Sequence, residues 1–111
     1  MKSADLFTEI TAIYRKHGWQ LRSALLRPET RAELQSIMLD DLVVREAECD
    51  ALWFSRPSHN DREAWELRLL AQTQYALFET FEADETEEER ADLRLEMEAR
   101  LRDYLATDKR A

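Results

Sequence analysis

The sequence predicts an α+β fold: one small domain over residues 1–111, in which an antiparallel sheet of about four strands packs with N- and C-terminal helices. Three observations carry this. Between Ala51 and Phe81, three aromatic and mostly alternating blocks (51–56, 63–70 and 75–81) follow one another with short polar connectors, as neighbouring antiparallel strands do. An apolar stripe at helical spacing precedes Gly18, the only glycine in the chain. Near the C-terminus, Thr86 followed three residues later by Glu89 forms a capping box ahead of a second helical stripe.

In chain order, Ser3 to His17 is expected as an amphipathic helix with Leu6, Phe7, Ile10, Ile13 and Tyr14 on one stripe. Ser3 is its expected N-cap, Asp5 suits the first turn, and Lys16 and His17 suit the last. Trp19 to Arg27 alternates as a first strand that stops at Pro28. Pro28 then starts a short helix reaching about Met38, since proline is well placed at a first helical position. Val43-Val44 is a short or edge strand, and Asp50 leads into the apolar block Ala51-Leu52-Trp53-Phe54. Pro57-Ser58-His59-Asn60 has turn chemistry.

Residues 60–82 decide the fold. As one helix, capped by Asn60 with Glu63, they would give an all-α bundle. As a hairpin, Trp65, Leu67 and Leu69 share one face and Glu66 and Arg68 the other. The Trp-Glu-Leu-Arg-Leu alternation and the clustered aromatics favour the hairpin. Its expected register sets Leu67 opposite Phe78 and Trp65 opposite Thr80, because a one-residue slip would bring Glu66 and Arg68 beside Phe78. In the last helix Leu93, Met97, Leu101 and Tyr104 form the stripe, and Glu98–Arg102 reads as a favourable four-apart pair.

Composition bounds function. A net charge of −8 argues against nucleic acid and against anionic membrane surfaces, both of which call for basic residues. Cys49, the only cysteine, permits no intrachain disulfide, which fits a cytoplasmic protein. One glycine excludes glycine-rich phosphate loops, and His17 and His59 lie outside any zinc-binding spacing, so no cofactor, metal or catalytic residue is assigned. The acids around Cys49 make it a poor nucleophile. The run Glu82 to Glu89 is the negative start of a helix.

One constellation remains. If both terminal helices cover one sheet face with Leu52 and Phe54 inward, the other face carries Arg22, Trp53, Ser55, Glu66 and Arg68. Tryptophan between arginines is the composition of a protein-binding patch. The expected function is therefore a non-catalytic interaction module whose partner is a protein or peptide, a second copy (a homodimer) being the simplest case. The alternative is a small-molecule-binding protein or small enzyme with a site near Arg56, His59, Glu66 and Arg68. In its short length, acidity and helix–sheet–helix order the chain is similar to bacterial secretion chaperones that bind unfolded effector segments; no site residue follows from that likeness.

Overall fold

The computed structural model describes residues 3–38 and 41–108. The elements are α1 (Ser3–Lys16), β1 (Gln20–Leu26), α2 (Pro28–Leu34), β2 (Val43–Glu46), β3 (Ala51–Pro57), β4 (Glu63–Leu69), β5 (Ala76–Phe81) and α3 (Glu87–Asp108). The fold is α+β, and residues 60–82 form a hairpin. The sheet has five strands in the order β2-β1-β3-β4-β5. It is antiparallel except for β2, which runs parallel to β1 because α2 carries the chain back between them.

Helix α1 ends as its glycine requires. Gly18 has φ 85°, Trp19 N–H donates to the Tyr14 carbonyl at 2.9 Å and Gly18 N–H to the Arg15 carbonyl at 3.0 Å. These are the two bonds of a Schellman motif, which satisfy carbonyls the helix leaves free. The helix is described from Ser3 itself, so its N-cap lies outside the described residues. Helix α2 stops at Leu34, short of Met38, as Ile37 and Met38 both turn back onto the Leu34 carbonyl.

Asp50 ties the β1–α2 junction to β3. Its carboxylate accepts from the Arg27 backbone N–H at 2.9 Å, from Arg27 Nε and Nη2 at 3.1 and 2.9 Å, and from Thr30 Oγ1 at 2.7 Å. The Arg27 pKa is raised, chiefly by this hydrogen bond to Asp50.

The two terminal helices lie on opposite faces, which corrects the expectation that they share one. Helices α1 and α2 cover Ala24, Leu26, Leu52 and Phe54 with Phe7, Ile10 and Leu34. On the other side α3 brings Met97 and Leu101 onto Ala51, Trp53, Trp65, Leu67 and Phe81. Ala51-Leu52-Trp53-Phe54 is the central strand's signature: an unbroken apolar run suits a strand covered on both sides.

The β4–β5 register is also corrected. Leu67 pairs with Leu77, Glu66 with Phe78 and Trp65 with Glu79. This is the slip rejected above. It wins because Leu77 and Phe81, not Phe78, share the parity that packs under α3.

Helix α3 opens with the expected capping box. Glu89 N–H donates to Thr86 Oγ1 at 3.1 Å and Thr86 N–H to Glu89 Oε1 at 2.8 Å. The Glu89 pKa is lowered, mainly by these bonds to Thr86. Glu98 is not a surface partner of Arg102. It is buried, and its carboxylate accepts from Trp53 Nε1 at 2.8 Å and from Arg45.

Candidate functional site

The helices sit diagonally across the sheet. Helix α1 lies over β1 and reaches Phe54 on β3, whereas α3 crosses β4 and β5 on the opposite face. Under α1's side, the β4–β5 half is therefore left without a helical cover. Strand alternation sends Glu66, Arg68, Ala76, Phe78 and Thr80 onto that half, with Arg56 beside them on β3. Phe78 is 55% exposed there.

Aromatic and charged groups order this surface. The Tyr14 ring stacks on Phe54 at 4.0 Å and its hydroxyl donates to the Glu66 carboxylate. Trp19 meets Tyr14 edge-on at 5.9 Å and Phe78 at 6.3 Å. The Arg56 guanidinium lies 4.5 Å over the Trp19 ring and donates to the His17 carbonyl at 2.7 Å. Arg68 Nη1 donates to the Leu69 and Thr73 carbonyls at 2.7 and 3.1 Å, which fastens the β4–β5 loop. Burial first, and Glu66 second, push the Tyr14 phenol well above its ordinary pKa. A phenol held protonated against an occupied carboxylate is suited to fixing a ring, and offers no nucleophile.

The sequence-derived patch divides between the two faces. Glu66 and Arg68 lie on the open half with Arg56. Trp53 and Ser55 are 2% and 3% exposed and lie under α3, where Trp53 pairs with Leu67 and Ser55 with Trp65. Arg22 stands at a bulge in β1, its guanidinium 5.6 Å from the Trp65 ring on the α3 side. The proposed five therefore do not form one surface. His59 sits in the exposed β3–β4 turn, apart from Arg56, Glu66 and Arg68. Trp19, Tyr14 and Phe78 were missed as members. Tyr14 and Trp19 flank Gly18, so the Schellman turn is the local signal that could have placed them together.

A cleft of about 640 Å³ opens on the other flank of α1, lined by Phe7, Thr8, Arg15, Trp19, Leu21 and Leu42 among others. Two of its polar groups are engaged elsewhere: the Thr11 hydroxyl donates to the Phe7 carbonyl at 2.8 Å, and the Arg22 guanidinium lies 5.6 Å from the Trp65 ring. Cys49 is buried and its thiol pKa is raised, by burial first and by Asp50 second. The acidic run is partly paired, Glu82 with Arg62 and Glu87 with Arg94. Among the described residues no cluster of His, Cys, Asp and Glu is set to hold a metal, and no helix is long and apolar enough to cross a membrane. No protein-family model, curated protein or solved structure matches this chain.

Proposed function

We propose that this protein is a non-catalytic interaction module that binds polypeptide through the open β4–β5 half of the sheet. The observation that carries the proposal is the half-exposed Phe78 beside Trp19, with Glu66 opposite it on β4, Arg68 opposite the neighbouring Ala76 and Arg56 over the Trp19 ring. Aromatic and arginine side chains are the usual anchors of protein interfaces. Here both arginines are already fastened to backbone carbonyls, so docking would cost little side-chain entropy. A cytoplasmic location accords with the free, buried Cys49.

The small-molecule alternative has less support at the same residues. Nη1 of Arg56 and Nη1 of Arg68 donate to carbonyls, Glu66 accepts from the Tyr14 hydroxyl, and none of the three lines the cleft beside α1.

Photocrosslinking in cells tests the proposal. With Phe78→benzoylphenylalanine, irradiation is expected to yield a covalent adduct with a polypeptide. The same probe at Leu95, exposed on α3, is expected to yield none. Equal labelling at both positions, or none at Phe78, rejects the proposal.

A further inference from the structure

The two edges of the sheet differ. The β2 edge is four residues long and carries Arg45 and Glu46, the short and charged form that resists strand addition. The β5 edge, Ala-Leu-Phe-Glu-Thr-Phe, is six residues long with a single charge and no proline or lysine. Among the described residues no strand pairs with its outer side. An edge of this kind is a template for another strand.

The ladder fixes which groups point outward. Leu69 N–H donates to the carbonyl of Tyr75, the residue directly opposite, at 2.9 Å. Bonded and non-bonded pairs alternate in an antiparallel ladder, so Leu77 and Glu79 turn their main-chain groups toward β4. Ala76, Phe78 and Thr80 turn theirs to the free edge.

We infer that the polypeptide bound at this site is a second copy of this chain, paired β5 to β5 in antiparallel sense about a two-fold axis at Phe78. The inference rests on the proposed interaction function and names its partner. In this register Phe78 exchanges both main-chain bonds with the Phe78 of the second copy, and Ala76 does so with Thr80 on each side of the axis. Glu79 falls opposite Leu77, so no like charges meet. An axis at Glu79 would set two carboxylates opposite one another, which is repulsive. An axis at Leu77 would leave Thr80 without a bonded partner. Only the axis at Phe78 uses every outward group of the edge. It also joins the two open half-faces, so that the aromatic of each copy completes the surface of the other, as an isologous contact requires.

Light scattering and sedimentation of the full chain, with two kinds of variant, test this. The wild-type chain is expected to be dimeric in the micromolar range. Thr80→Pro removes an outward N–H, which the isolated sheet tolerates at an edge strand. It should weaken the dimer on the order of 100-fold, because two symmetry-related bonds are lost and their carbonyls are left unpaired. Circular dichroism checks that it remains folded, and Phe78→Lys, which sets a cation opposite Glu66 within the chain but two cations opposite one another at the axis, provides the same readout should it not. In a Cys49→Ala background, Phe78→Cys is expected to form an interchain disulfide on oxidation, since bonded antiparallel pairs have Cα atoms about 5.5 Å apart. A monomer up to about 100 µM, a dimer that survives both Thr80→Pro and Phe78→Lys, or crosslinking through Leu77→Cys in place of Phe78→Cys overturns the inference. A photocrosslink from Phe78 to a different protein alone also overturns it while leaving the interaction function standing; no polypeptide adduct at all rejects both.

Discussion

Asp50 joins three segments through one carboxylate, and its removal has a cost that can be worked out group by group. In Asp50→Ala the Thr30 hydroxyl, 1% exposed, loses its acceptor where water cannot replace it, at about 1–3 kcal/mol. The Arg27 N–H that opens α2 loses its cap, at about 1 kcal/mol. The Arg27 side chain is 48% exposed and rehydrates, so its ion pair adds no more than about 1 kcal/mol. The expected loss is about 3 kcal/mol, a large share of the stability of an ordinary domain. Asp50→Asn keeps one acceptor oxygen and should cost about half as much. Urea unfolding followed by tryptophan fluorescence measures both, with an unchanged denaturant slope as the sign that the folded state is intact. A loss below about 1 kcal/mol for Asp50→Ala, or one no larger than that of Asp50→Asn, would refute the reasoning.

Three further outcomes follow from the same structure. Glu98→Ala leaves the Trp53 indole N–H buried and unpaired and should cost about 2–4 kcal/mol by urea unfolding, and Arg45→Met, which leaves the buried Glu98 carboxylate without its cation, should cost at least about 2 kcal/mol; a loss below about 1 kcal/mol for Glu98→Ala would show that the carboxylate does not hold the indole. Gly18→Ala meets no atom within 4 Å, so its whole cost is that of a left-handed residue, about 1–2 kcal/mol in the same assay. The raised pKa of Tyr14 favours the neutral phenol in the folded chain. Its contribution to stability is complete below the unfolded tyrosine value of about 10 and is lost as pH rises through the higher folded value. Ultraviolet titration of the chain and of Tyr14→Phe to about pH 11 should therefore give the same phenolate absorbance until urea is added, whereas a larger absorbance in the unsubstituted chain would show that Tyr14 ionises freely.

The half of the site that was legible in the sequence is the half that strand alternation controls. Glu66 and Arg68 are two residues apart on one strand, so any pleated arrangement puts them on the same face. Trp53 could not be placed in the same way. Alternation sets it opposite Leu52 and Phe54 in direction, but whether a helix covers its side depends on Met97 and Leu101 of α3, more than forty residues away in the chain. Glu98 shows the same limit from the other end: four-residue spacing offers Arg102 as its partner, yet burial against β3 gives it the Trp53 indole and Arg45.

What this sequence determined by itself are features set within a few residues: the Gly18 stop, Pro28 at the head of α2, the Thr86–Glu89 capping box and the alternation of the 51–81 meander. These signals act over one turn of helix or one pleat, so they need no knowledge of the rest of the chain. Only the tertiary structure decided the parallel partner of β1, the β4–β5 register and the split of α1 and α3 across the sheet. Each of these depends on which apolar face finds cover from a distant element. Burial is a property of the assembled layers, and no local window contains it.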